Sequence, residues 1–139
     1  MPPLKVDLQD RFLVYDEGRG AFTVSKLLDG LSDADDVFLI GVSDFSDDAS
    51  VHADHWEIHP AGDEILCVLQ GRLLATVDQD GAVEAAEIGP GEALIVPKRS
   101  WHRLQVLKPG RLLFFTPTAG VAHRPHEPAA SRPTSSAEA

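Results

Sequence analysis

Cysteine is nearly absent from this chain: Cys67 stands alone among 139 residues. A single thiol excludes an intramolecular disulfide and any multi-cysteine zinc site. Long apolar runs are missing as well, since none approaches the ~18 residues that a spanning helix needs. The opening Met1-Pro2-Pro3-Leu4-Lys5-Val6-Asp7 lacks the basic and apolar blocks of a signal peptide, so a cytoplasmic location is expected. Positive charge is scarce: 12 Lys and Arg stand against 22 Asp and Glu, a net charge of -10. That balance repels phosphate backbones and anionic lipid, so neither nucleic acid nor a membrane is expected as partner. Helical periodicity is lacking too, which removes a helix-turn-helix reader. What remains is an ordinary globular composition, 43% apolar and 24% charged. At this length one domain can bury roughly 68% of its unfolded surface.

The body reads as strands. Apolar or alternating runs fall at Val37–Val42, Val51–His59, Glu64–Leu69, Arg72–Val77, Val83–Ile88, Ala93–Val96, Trp101–Val106 and Leu112–Thr116. Gln70-Gly71, Asp78-Gln79-Asp80-Gly81, Gly89-Pro90-Gly91 and Lys108-Pro109-Gly110 supply turn signals between them. From Val51 onward the strands start about 8–13 residues apart, the rhythm of an antiparallel sandwich or barrel. Leu4-Val6-Leu8, Phe12–Tyr15 and Ala21–Val24 are weaker strand signals, and Asp33, Asp35 and Asp36 crowd a loop that suits solubility. Residues 1–118 are therefore expected as one all-β domain. Residues 119–139, rich in Pro, Ala and Ser, are expected as a flexible tail in which His123 and His126 are solvated.

Chemistry concentrates between His52 and His102. In a strand, Glu57 and His59 share a face and lie about 6.6 Å apart along the axis. They can converge on one ion through bonds of about 2.0–2.2 Å. Pro60-Ala61-Gly62-Asp63 reads as a turn that returns Glu64 to the same point, and His102 can arrive from a strand distant in sequence. Two imidazoles with one or two carboxylates suit Fe(II), Mn(II), Ni(II) or Zn(II). The same residues also read as solvated acids and satisfied half-buried histidines. His52 has the opposite parity to His59. His55 shares the parity but sits about 13 Å away along an ideal strand, which makes it a second choice for the first ligand.

These residues fall into a pattern that resembles the cupin superfamily, small β-barrels marked by two motifs. The first, His-x-His, three or four residues, Glu, six residues, Gly, is matched by Glu57-Ile58-His59, Glu64 and Gly71. The second, Gly, five residues, Pro-x-Gly, two residues, His, is matched by Gly91 through Pro97-Lys98-Arg99 to His102. The resemblance covers residues 50–117 and implies an antiparallel double-stranded β-helix, or jelly-roll barrel. It also implies a metal site of Glu57, His59, Glu64 and His102. Glu57 stands where most cupins have a histidine, Arg99 replaces a glycine, and Val106 stands where asparagine is common. A second carboxylate makes the site harder, favouring Mn(II) or Fe(II) over Cu(II). A side chain at Arg99 adopts a left-handed backbone less cheaply than glycine, so that turn is expected to differ in shape.

Parity places Glu64, Leu66 and Val68 inside with His102, Leu104 and Val106, and leaves Ile65, Cys67, Leu69, Trp101, Arg103 and Gln105 outside. Cys67 then reads as an inert packed thiol, and no spare inward base or acid is found. The leading functional expectation is a metal-dependent, dioxygenase-like enzyme acting on a small oxygen-bearing molecule. The alternative is a non-catalytic small-molecule-binding barrel, with a sugar-phosphate isomerase a weaker third. Trp56, Trp101, Ile65 and Leu69 on the outer face point to a homodimer.

Overall fold

Nine antiparallel strands build the protein in its computed structural model, which describes residues 2–26 and 36–127. Strands β1 (Phe12–Asp16) and β2 (Ala21–Ser25) form a hairpin, and β1 continues onto β3 (Val37–Phe45). Next come β4 (His55–Ile58), β5 (Glu64–Gln79), β6 (Ala82–Ile88), β7 (Ala93–Val96), β8 (Trp101–Pro117) and β9 (Ala122–Pro125). Neighbours run β2-β1-β3-β8-β4-β9, while β5 pairs with β6, β7 and β8. The fold is an all-β jelly-roll barrel, as the periodicity and the motifs predict. Alternation sorts each strand's residues: along β5, Glu64, Leu66 and Val68 are buried while Ile65 and Leu69 are exposed. The core joins Phe45, Leu66, Val68, Leu73, Ala75, Ile88, Val96 and Leu112. Asp33 and Asp35 lie outside the described residues.

Four expectations need correction. Gln70-Gly71 and Lys108-Pro109-Gly110 are not chain reversals. They face each other as a bulge inside the continuous β5–β8 pairing, where Gly71 opposes Pro109 and Gly110. A Cβ at Gly71 (φ 83°) would meet the Lys108 and Pro109 carbonyls, and one at Gly110 would collide with the Gln70 carbonyl. Glycine at both positions lets the backbones close together, and Pro109 needs no partner for a missing N–H. Second, the strand expected over Val51–His59 begins only at His55. Asp48–Val51 is a 3-10 turn capped reciprocally: Asp47 Oδ1 accepts from Ser50 N (3.1 Å), and Ser50 Oγ accepts from Asp47 N (3.3 Å). Third, Leu4-Val6-Leu8 forms no strand.

The fourth correction concerns the tail. Residues 122–125 are strand β9, paired antiparallel with β4 in the register Trp56↔Arg124 and Glu57↔His123. Residues 128–139 lie outside the described residues. Local apolarity does not hold β9. Arg124 does: its guanidinium carbon sits 5.4 Å from the Trp56 ring centre and 4.5 Å from that of Trp101. The same group donates to Asp78 Oδ2 at 3.1 Å. Trp56 Nε1 also donates to His126 Nδ1 (3.1 Å), so the chain's own C-terminal segment lies against the tryptophan.

Candidate metal centre

The end of β4 and the starts of β5 and β8 bring the candidate residues together. Glu57 on β4 lies directly opposite His102 on β8, and directly opposed residues share a face. His59 follows β4 by one residue, and the Pro60–Asp63 turn delivers Glu64 as the first residue of β5. That turn is tied down from its far side, where Asp63 Oδ1 accepts from Lys98 N at 2.8 Å. The His59 carbonyl accepts from Arg99 N at 3.1 Å. Arg99 itself has φ 65°, so the expected change of turn shape is corrected: the left-handed turn is kept despite the side chain.

The side chains converge. His59 Nε2 lies 3.4 Å from Glu57 Oε1 and 3.4 Å from Glu64 Oε2. His102 Nε2 lies 3.0 Å from Glu64 Oε1 and 3.8 Å from Glu57 Oε1. The two imidazoles are offset at 5.5 Å between ring centres, 30° apart in plane. His59, Glu64 and His102 are almost fully buried, whereas Glu57 keeps a 35% exposed side chain at the rim. One ligand atom each from Glu57, His59 and His102 falls within 4.8 Å of the others, a group able to hold an ion. Glu64 stands beside that group with its own anchor, a 2.6 Å hydrogen bond from Thr116 Oγ1 to Oε2.

Donor and acceptor chemistry matches the geometry. His59 Nδ1 lies 3.2 Å from the Pro117 carbonyl, which can only accept, so Nδ1 carries a proton and Nε2 is turned toward the carboxylates. Buried His59 Nε2 has no hydrogen-bond partner among the described residues; Glu64 Oε1 approaches His102 Nε2 without hydrogen-bond alignment. Buried polar atoms are normally satisfied, so a buried imidazole nitrogen without a hydrogen bond, set among ligand atoms within 4.8 Å of one another, fits a cation-binding role. For Glu57, burial pushes its carboxyl upward, but the His59 contact and the charges of His59, His102 and His123 outweigh it and hold the value at about 2. Burial alone would lower the His59 imidazole; Glu57, Glu64 and the Pro117 carbonyl raise it instead. Proton and metal would therefore compete for the same nitrogen.

His55 is exposed and hydrogen-bonded to Asp54 (2.9 Å), outside the converging group. A small cleft of about 70 Å³ opens over the site, lined by Val51, His52, His55, Glu57, His102, Arg103, Leu104 and His123. The absence of spare acids or bases is thus corrected at the rim, where three further histidines stand. His52 reaches it by closing the 3-10 turn with φ 51°, against its strand parity. His123 Nε2 lies 3.1 Å from Glu57 Oε2, a contact that low apolarity around it concealed. Cys67 is half-buried on β5, away from this cleft.

Residues 49–116 match the family model described as Cupin domain. Among solved structures, a cupin-2 domain containing protein from Shewanella frigidimarina NCIMB 400 is 17% identical, with TM-score 0.45 over 58% of this chain and 71% of that one. A cupin superfamily protein from Desulfitobacterium hafniense DCB-2 is 22% identical, with TM-score 0.46 over 58% and 66%. Oxalate oxidase in complex with the substrate analogue glycolate is 18% identical, with TM-score 0.49 over 61% of this chain but only 45% of that one. No curated protein matches the chain. Among the described residues no helix is long and apolar enough to cross a membrane.

Proposed function

We propose that this chain, a cupin over residues 49–116, holds one divalent transition-metal ion through Glu57, His59 and His102, with Glu64 as a fourth donor. The observation that carries this is the buried His59 Nε2, without a hydrogen bond among the described residues and turned by Pro117 toward two carboxylate oxygens at 3.4 Å each. Such an ion supplies Lewis-acid or redox chemistry to a small oxygen-bearing substrate. Two carboxylates in a mixed donor set favour Fe or Mn, with Ni or Zn as the alternatives. Thr116 holds Glu64 in place, Val51 and Leu104 give the cleft an apolar wall, and its size of about 70 Å³ suits a ligand of few atoms. Dioxygenase-like chemistry is the leading reading, because two histidines and a carboxylate form the ligand set of many non-haem iron oxygenases.

Rim histidines weigh against a purely passive binder. A sugar-phosphate isomerase is weaker still, since Arg103 already donates to the Ala53 carbonyl at 3.1 Å. Ile65 and Leu69, 37% and 42% exposed, support a homodimer, which light scattering at micromolar concentration tests; we place it in the cytoplasm, testable by fractionation. Protein purified without chelator or nickel resin should carry one equivalent of metal, and His59→Ala or His102→Ala none. With iron, candidate diketones and catechols should drive oxygen uptake. A metal-free wild type that takes up no added ion refutes the proposal.

A further inference from the structure

Strand β9 presents its residues alternately. His123, opposite Glu57, meets it on the site's face, and the next residue, Arg124, meets Trp56 on the other. The Glu57 carboxylate is thereby divided. Its Oε1 faces the nitrogens of His59 and His102 at 3.4 and 3.8 Å, while its Oε2 lies 3.1 Å from His123 Nε2. Arg124, stacked over Trp56 and Trp101 and bonded to Asp78, fixes β9 at this register. The backbone adds a further tie, from His126 N to the Asp54 carbonyl at 2.7 Å.

Resting on the metal reading above, we propose that His123 is a positioning residue: its Nε2–H engages Glu57 Oε2, so that Glu57 offers the ion Oε1 alone. A carboxylate held this way is a single-atom donor, as an imidazole would be at the same position. A free carboxylate can turn and offer both oxygens. The segment that follows the barrel's last long strand therefore completes the centre, and Arg124 acts on it at second hand through β9.

Cobalt(II) titration of the full chain, followed by visible absorption, tests this. His123→Ala should weaken cobalt binding about 10-fold, the lower end for outer partners of ligands because His123 is 56% exposed. It should also dim the visible bands as Glu57 contributes its second oxygen and coordination number rises. His123→Gln, whose amide nitrogen can replace Nε2, should recover affinity and spectrum. Arg124→Ala, which touches no ligand, should shift the spectrum in the same direction. In a Glu57→His background, which has no carboxylate to hold, adding His123→Ala should change affinity less than about 2-fold. An unchanged affinity and spectrum in His123→Ala overturns the proposal. So does a loss that persists in the Glu57→His background, because His123 would then be a ligand or a structural prop. A wild type that binds no cobalt overturns the metal reading itself, and the positioning role with it.

Discussion

Thr116→Val removes one hydroxyl and little volume. Among the described residues that hydroxyl makes one hydrogen bond, 2.6 Å to Glu64 Oε2. Glu64 is buried, with a 6% exposed side chain, so water cannot readily replace the lost donor. Hydrogen bonds to a charged group contribute about 1.5–3 kcal/mol, and a buried acceptor left unmet sits at the upper part of that range. The metal-free protein should lose that much in urea unfolding, with an unchanged m-value, and its Tm should drop by roughly 5–10 °C. Metal affinity should fall as well, by about 10–100-fold, because Glu64 is freed to turn. Thr116→Ser keeps the hydroxyl and should retain most of both quantities. A Thr116→Val protein within about 0.5 kcal/mol of wild type would refute the reasoning, as surface changes typically fall in that range.

Two further predictions concern acidity and backbone strain. Glu57 is held at about 2 rather than 4.5, so its contribution to the metal-free fold is present above pH 4.5 and lost as pH falls toward 2. His59 is raised, so its contribution is full below pH 6.5 and lost as pH rises through the folded value. Metal-free stability from this pair should thus be greatest between those limits by calorimetry, while metal affinity climbs with pH as the His59 proton leaves; a stability that does not fall below pH 4.5 would contradict the Glu57 shift, and one that does not fall above pH 6.5 the His59 shift. Arg99→Gly removes a left-handed penalty of about 1–2 kcal/mol against an entropy cost of about 0.5–1, a net gain near 0.5–1 kcal/mol. Arg99→Ala keeps the strain and should gain nothing, so equal stabilities of the two variants would show that the turn is not strained.

Legibility followed the kind of interaction involved. The i, i+2 spacing of Glu57 and His59 and the return of Glu64 follow from strand parity, which is a local property, and the structure brings these side chains together with His102. The inward set Glu64, Leu66 and Val68 follows from the same period of two. β9 was hidden because its order comes from distant tryptophans stacking on one arginine, and no local apolar pattern announces that. Gly71 and Gly110 misled for a related reason. A glycine that reverses the chain and one that lets two backbones close look alike until the partner strand is known. The left-handed Arg99 is the opposite case, in which surrounding contacts, the Arg99 N to His59 carbonyl bond among them, override a residue preference.

The bulge where Gly71 meets Gly110 has a consequence for how the protein assembles. Because neither strand stops there, β5 and β8 each belong to both ends of the barrel, pairing from Ile65 with Phe115 through to Asp78 with Trp101. One end of that ladder abuts Glu64 and Thr116 and the other carries His102, so both ends meet at the candidate metal centre and neither can part without disturbing it. Unfolding should therefore be a single concerted event, with little room for a half-open state. The shared ladder joins segments far apart along the chain, so closing it costs loop entropy before any contact forms. Assembly should accordingly fall in the slow, millisecond-to-second regime of non-local β topologies.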